Sequence, residues 1–294
     1  MRRTVPAVHP RQAITLVIAA VACFAALDST TKVLSTAVPL VMAMWFRYLF
    51  QALSTTLVLL PGRGRALLRT RHPYLQVTRG AMLLGCSIFA FLSLQHMPVG
   101  EFTAIVMLTP LLITLLAAHA LGERVSALRW ALVLGGFAGA LIIIRPGGDM
   151  LGWAALYPVG VVLTNAAFQI LTSRLARTDD PGTMHFYTGW VGALSMSCLL
   201  PWAWQAAGPA TWAMLGLTAL LSSLGHVLLI QGYRRAPAAT LTPFLYFQIA
   251  FATLAGWLYF DHAPDLATWL GMLIIAGCGA AGTFLSAHEE KRKA

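Results

Sequence analysis

The chain carries a succession of largely apolar segments of 18 to 24 residues, each long enough to cross a bilayer, and this constrains its fold more than any other feature. Stretches such as Ile14–Leu27 and Ala131–Ile144 are continuous rather than alternating. A spanning helix needs about twenty apolar residues in a row, whereas a lipid-facing β-barrel strand alternates over about ten. The runs therefore predict helices. Prolines, glycines and charges divide them into ten segments, 13–35, 40–60, 75–95, 99–120, 127–144, 151–174, 182–202, 211–232, 238–260 and 266–286. Composition closes the alternatives. Only 10% of the 294 residues are charged and 58% are hydrophobic, with mean hydropathy +0.73. That leaves too little polar surface for a soluble enzyme and too much apolar content for a disordered chain. The expected class is an all-α integral membrane protein with ten transmembrane helices.

The net charge of +10 does not imply nucleic acid, because basic residues of membrane proteins concentrate in cytoplasmic loops. With a cytoplasmic N-terminus, sixteen Lys and Arg residues fall on the cytoplasmic side and Arg145 alone on the other, while Lys32, Arg47 and Arg79 lie within spans. Both termini are thus expected inside. Arg2, Arg3 and Arg11 ahead of the first run imitate a signal peptide, but the run continues through Asp28 and Lys32 and nine more follow. It reads as a retained first helix. Cys23, Cys86, Cys198 and Cys278 all fall in apolar runs without metal-site spacing and read as small core residues.

The chain repeats itself. Met97-Pro98-Val99 and Ala236-Pro237-Ala238 each open a helix, and Trp130 and Trp269 follow them, both pairs 139 residues apart. Trp45-Phe46 and His185-Phe186 match at an offset of 140. Two halves of five helices, 1–147 and 148–294, are expected, and an odd helix number forces the second to enter the membrane upside down. Inverted-topology repeats characterise secondary transporters, which hold substrate between the halves and expose it to each side in turn.

Five-helix repeats with Arg47 in helix two resemble the EamA family of the drug/metabolite transporter superfamily. So does Leu94-Gln95-His96-Met97-Pro98-Val99 leading through Thr109-Pro110-Leu111-Leu112 to Leu121-Gly122-Glu123-Arg124. The second copy departs, with Asp261-His262 where the family usually has a glutamate. The resemblance covers residues from about 12 to 286. It implies a bacterial inner-membrane carrier of a small metabolite (amino acid, flavin or nucleoside-like). It also implies a cavity ringed by helices one to four and six to nine.

Polar residues inside the spans are the candidate site, because an ionisable group there is costly unless paired or hydrated. Asp28 and Lys32 share one face of helix one at a spacing of four, and Arg47 lies at the same depth across the first hairpin. They form either a structural ion pair or a gating and substrate-contacting cluster, with a net positive charge suited to a carboxylate or other anion. In the second half, Asn165, Gln169, His185 and Tyr187 offer neutral polar contacts on the cytoplasmic side. His226 lies deep in helix eight and is open to titration. Trp190 and Tyr246, among other aromatics, serve either packing or stacking on a planar substrate. Glu101, in the first turn of helix four, complements the helix dipole. Trp130, Trp153, Trp212 and Trp269 read as interfacial anchors, and Pro110, Pro158 and Pro243 as interruptions within spans. Gly135 and Gly139 provide a close-packing motif.

No metal site and no cofactor are expected, since no histidine pair has ligand spacing backed by a carboxylate. Signatures of hydrolases and nucleotide-binding loops are absent from the sequence. The function expected is secondary transport of a small organic metabolite, with the lipid bilayer as its setting. The chain would act as a monomer or weak homodimer without nucleic acid. A membrane-embedded enzyme or a passive channel is the alternative.

Overall fold

The computed structural model describes residues 10–120, 127–144, 154, 156–175, 178–233, 235, 241 and 244–293. Every regular element among them is helical. The elements are α1 (Pro10–Ala37), α2 (Leu40–Arg63), a short 3-10 turn (Gly64–Leu68), α3 (Pro73–His96), α4 (Val99–Val106), α5 (Thr109–Ala120) and α6 (Ala127–Ile144). They continue with α7 (Leu156–Leu175), α8 (Pro181–Ser197), α9 (Leu200–Ala203), α10 (Pro209–Tyr233), α11 (Phe247–Phe260) and α12 (Leu266–Lys293). Four described helices, Arg11–Ala37, Leu40–Leu68, Pro73–His96 and Pro209–Leu229, have the length and apolarity to cross a membrane. Shorter apolar helices, including Leu156–Thr172 and Phe247–Phe260, accompany them.

Local chemistry sets the boundaries. Pro73, Pro181 and Pro209 open α3, α8 and α10 at positions where no backbone N–H is needed. The Asp180 carboxylate caps α8 by accepting from Gly182 N at 2.7 Å. Gly64, at φ 52°, turns the chain out of α2. Inside the spans, Ser29, Thr31, Ser93, Thr164 and Thr188 return their hydroxyl protons to the carbonyl one turn back. These hydroxyls are thereby satisfied without water.

The expected span 99–120 is broken into α4 and α5. Pro110 has no N–H for the Val106 carbonyl, and the Thr109 hydroxyl takes that acceptor at 2.7 Å. Pro201 similarly separates α8 from α9, dividing the expected span 182–202. Pro158 does not interrupt α7, which runs through it from Leu156 to Leu175. Pro243 lies outside the described residues.

Packing runs between the two halves of the chain. α1 lies against α10 and α11, α2 against α8, α3 against α7, and α6 against α12. Glycines bring backbones together at two of these seams. A Cβ on Gly139 would stand 2.9 Å from Gly271 O, and one on Gly271 would stand 2.7 Å from Gly139 O. A Cβ on Gly189 of α8 would meet Ala52 N of α2 at 2.8 Å. Such contacts supply the van der Waals density that holds helices together in lipid. The outer faces carry Leu57, Val58, Leu134, Leu163, Leu254 and Leu273, exposed as a bilayer requires. Cys198 is exposed as well, against the expectation of a core position, because it faces outward where lipid is as apolar as the interior.

Candidate functional site

Polar side chains within the membrane-spanning region form a chain of contacts that crosses between the halves. Arg47 of α2 donates through Nε to Ser222 Oγ of α10 at 3.1 Å. The Ser222 carbonyl lies 2.7 Å from His226 Nδ1, and since a carbonyl only accepts, Nδ1 carries the proton. The His226 ring stands edge-on to Phe24 of α1 with centroids 5.1 Å apart. Asp28 accepts from Gln248 Nε2 of α11 at 3.2 Å.

The structure corrects the hairpin arrangement. Asp28 and Arg47 form no ion pair within 4.0 Å among the described residues, although the Arg47 charge acts on Asp28 electrostatically. Each instead bonds a neutral group of the second half. Lys32 does not turn back to Asp28 either. Its ammonium donates to Leu94 O and Met97 O, both at 2.9 Å, satisfying carbonyls where α3 ends.

Toward the end of the molecule bearing Arg63, Arg65, Arg69 and Arg71, here termed the basic end, Gln51 of α2 meets His185 of α8. Its Nε2 lies 3.3 Å from both His185 Nδ1 and His185 O. Trp190 Nε1 donates to Thr56 Oγ1 at 3.1 Å. Tyr187 points away from this group, its hydroxyl donating to Leu68 O at 3.0 Å. Gln169 is exposed and bonds Asn165 one turn back at 3.3 Å. Tyr246 lies apart, its hydroxyl donating to Met107 O at 3.4 Å beside Gly279.

Sequence reasoning assigned no role to Arg79, yet it organises this half. It is 7% exposed on α3, and its Nε donates to Thr172 Oγ1 at 2.7 Å. Nη1 donates to Met184 O at 3.0 Å and Thr188 Oγ1 at 2.6 Å, and the guanidinium lies 4.6 Å from the Phe168 ring centroid. The signal was available, since Arg79, like Arg47, is a guanidinium within an apolar span.

The two ends are tied together by different chemistry. At the basic end Arg63 pairs with Asp180, and Asp179 accepts from the Thr70 hydroxyl, from Gln76 Nε2 at 2.7 Å and from Arg71 N at 3.5 Å. Burial alone would raise the Asp179 carboxyl. The bonds from Thr70, Gln76, Arg71 N and Thr178 outweigh it and hold the group below the usual carboxylate range. At the opposite end Phe46 stacks edge-on with Trp45 and Trp212, and Trp204 packs beside them. Trp212 is thus part of a packed cluster, while Trp130 and Trp269 are exposed in the manner of interfacial anchors, and Trp153 lies outside the described residues. A cavity of about 340 Å³ opens at this end, lined in part by Lys32, His96, Phe260 and His262. Glu101 contributes more than a dipole complement there, pairing with His262 at 3.2 Å. No group of three or more His, Cys, Asp or Glu positioned to hold a metal occurs among the described residues.

Comparison with known proteins follows this architecture along the whole chain. The EamA-like transporter family matches residues 11–145 and again 152–285. A riboflavin transporter of Rhizobium johnstonii is 33% identical, the match covering 100% of this chain and 98% of the relative. An S-adenosylmethionine uptake transporter of Rickettsia bellii is 26% identical over 84% of this chain and 85% of its own length. A pseudopaline exporter of Pseudomonas aeruginosa is 27% identical over 87% and 90%. A solved crystal structure with 21% identity shares the fold at a TM-score of 0.66, covering 94% of this chain and 98% of that one. With apolar helices able to cross a bilayer and a family match in each half, the chain is a multi-pass membrane protein that belongs to the EamA-like transporter family.

Proposed function

We propose that this protein is a secondary transporter of a small planar metabolite, a flavin in the first instance, in the bacterial inner membrane. Its ten spans form two inverted five-helix halves, 1–147 and 148–294, with the basic end and both termini facing the cytoplasm. The two halves alternate access to a site between them. The observation that carries this reading is how helix packing behaves when the halves are exchanged. The repeat equates α1 with α7, α2 with α8, α3 with α10 and α6 with α12. Exchange then turns the α1–α10 contact into the α7–α3 contact, and both occur. The α2–α8 and α6–α12 contacts map onto themselves. Such reciprocity is the mark of a two-fold relation. Met107 and Tyr246, 139 residues apart, lie at the breaks before α5 and α11 and touch each other.

The polar chain from Asp28 and Gln248 through Arg47, Ser222 and His226 to Gln51 and His185 supplies the substrate contacts. Trp190 and Phe24 offer ring faces near it. The riboflavin transporters among the relatives support a flavin. Purified protein in proteoliposomes should take up radiolabelled riboflavin in preference to S-adenosylmethionine. Riboflavin uptake no greater than in protein-free vesicles would refute the substrate. Preference for S-adenosylmethionine would move the assignment to that class.

A further inference from the structure

We infer that Arg79 is a second anion station of the transport path, holding the carboxylate or phosphate of an anion-bearing substrate such as a flavin phosphate in the basic half as Arg47 does in the other. This rests on the transport reading above and deepens it. Arg79 is buried within a membrane-spanning helix, and every acceptor it meets is neutral: two hydroxyls and one carbonyl. Neutral donors such as asparagine or glutamine would serve those acceptors without bringing a permanent charge into lipid, which is costly. Among the described residues no carboxylate lies within ion-pair distance of Arg79 or Arg47. Nη2 of Arg79 makes no hydrogen bond, yet it is not among the fully buried orphan atoms, which among the described residues are Gln76 Oε1 and Thr103 Oγ1. Nη2 therefore keeps access to space while Nε and Nη1 anchor the guanidinium. That leaves the N–H donors of one nitrogen, on a group held in place by the other two, for an oxyanion.

The spacing of the two cations suits a relay. Arg47 is the seventh residue beyond Leu40, about 10 Å from the end opposite the basic one at 1.5 Å per residue. Arg79 is the sixth beyond Pro73, about 9 Å from the basic end. In a hydrocarbon core about 30 Å thick this leaves about 10 Å of depth between them. The gap is bridged by polar groups. Arg79 holds Met184 O and Thr188, which flank His185; His185 meets Gln51; and Gln51 lies one turn from Arg47. Both guanidinium charges act on His226. The ligand that fits is a small molecule carrying one carboxylate or phosphate, which exchanges Arg47 for Arg79 as the halves move.

Thermal unfolding of the detergent-purified full chain, titrated at constant ionic strength with chloride, succinate, citrate, inorganic phosphate and riboflavin 5′-phosphate, tests this. At least one oxyanion should stabilise the wild type well beyond chloride. Its apparent Kd should weaken tenfold or more in Arg79→Gln and about threefold in Arg79→Lys, which keeps the charge and loses the anchored Nη2 donors. Response of the carboxylates alone or of the phosphates alone identifies the ligand group. The inference is overturned if no oxyanion exceeds chloride in the wild type, or if Arg79→Gln binds as the wild type does. Should Arg79→Gln fail to fold, Arg79→Lys decides, and unchanged affinity overturns the inference. Uptake of uncharged riboflavin by wild-type proteoliposomes is scored separately, so a failure of the transport reading is not mistaken for a failure of the anion station.

Discussion

Replacing Asp179 with asparagine isolates what holds the basic end closed. The carboxylate ties the turn after α2 to the turn before α8 by accepting from Thr70, Gln76 and Arg71 N. Asparagine keeps one oxygen, so the Thr70 and Gln76 bonds survive without charge assistance, and its amide is turned against the Arg71 N–H. A bond to a charged group contributes about 1.5–3 kcal/mol and a neutral one about 0.5–1.5, so the loss is about 1 kcal/mol for each of two bonds. A total of about 2 kcal/mol corresponds to about a thirtyfold rise in the open population. The assay is the labelling rate of Met184→Cys, buried behind this tie, by an impermeant maleimide in a background without Cys23, Cys86, Cys198 and Cys278. The rate should rise by one to two orders of magnitude in Asp179→Asn. An unchanged rate would refute the idea that these bonds limit opening. The pH dependence has a definite sign. Because the folded Asp179 carboxyl is held below its ordinary value, its contribution is complete above the carboxylate range and is lost as pH falls through it. The difference in Tm between wild type and Asp179→Asn should therefore be constant near neutrality and close on acidification. A difference that widens toward acid would show the sign to be wrong.

Further tests address topology, charge and packing. Gly208→Cys should be labelled by impermeant reagent from outside the cell and Arg65→Cys should not; the reverse sidedness would overturn the orientation. Arg47→Gln should weaken uptake of riboflavin 5′-phosphate about tenfold more than uptake of riboflavin, and equal losses would remove the electrostatic role of Arg47. Gly139→Val should lower stability by about 1–3 kcal/mol, because its side chain must displace the Gly271 carbonyl at the α6–α12 seam. A Tm within a degree of wild type would mean that the backbones do not touch there.

The helices were legible because a bilayer admits few alternatives. Predominantly apolar segments of bilayer length at 40–60 and 75–95 became α2 and α3. The break near Pro110 was legible too, since a missing N–H acts locally. The effect of Pro158 was not, because the same residue is disruptive inside a helix and harmless in its first turn. Cys198 illustrates a deeper limit: an apolar run does not distinguish a face that meets lipid from one that meets protein. The site divides in the same way. Hairpin spacing gives the depth of Asp28 and Arg47 but not the direction each faces around its helix. Their partners, Gln248 and Ser222, are 220 and 175 residues away in sequence. Arg79 was visible as a charge within a span, yet only tertiary packing separates an arginine that snorkels to the interface from one turned inward upon Thr172 and Thr188.

The difference between the two ends bears on how the proposed inverted halves would have unequal states. The α2–α3 and α7–α8 turns meet at the basic end through Arg63, Asp180 and Asp179, and the α1–α2 turn meets the α9–α10 connection at the other end. Val38, Phe46, Ala207 and Trp212 share one apolar cluster there. The Arg63–Asp180 pair has side chains 43% and 49% exposed, so ions within a Debye length of about 8 Å at physiological strength screen it. The aromatic cluster has no such sensitivity, and apolar association strengthens when salts such as sulfate are excluded from the surface. Under the proposed alternating access, salt on the basic side would loosen one closure and leave the other intact, shifting the population toward the state open at that end. The proposed two-fold arrangement would thereby acquire a directional response through side chains that its two halves do not share.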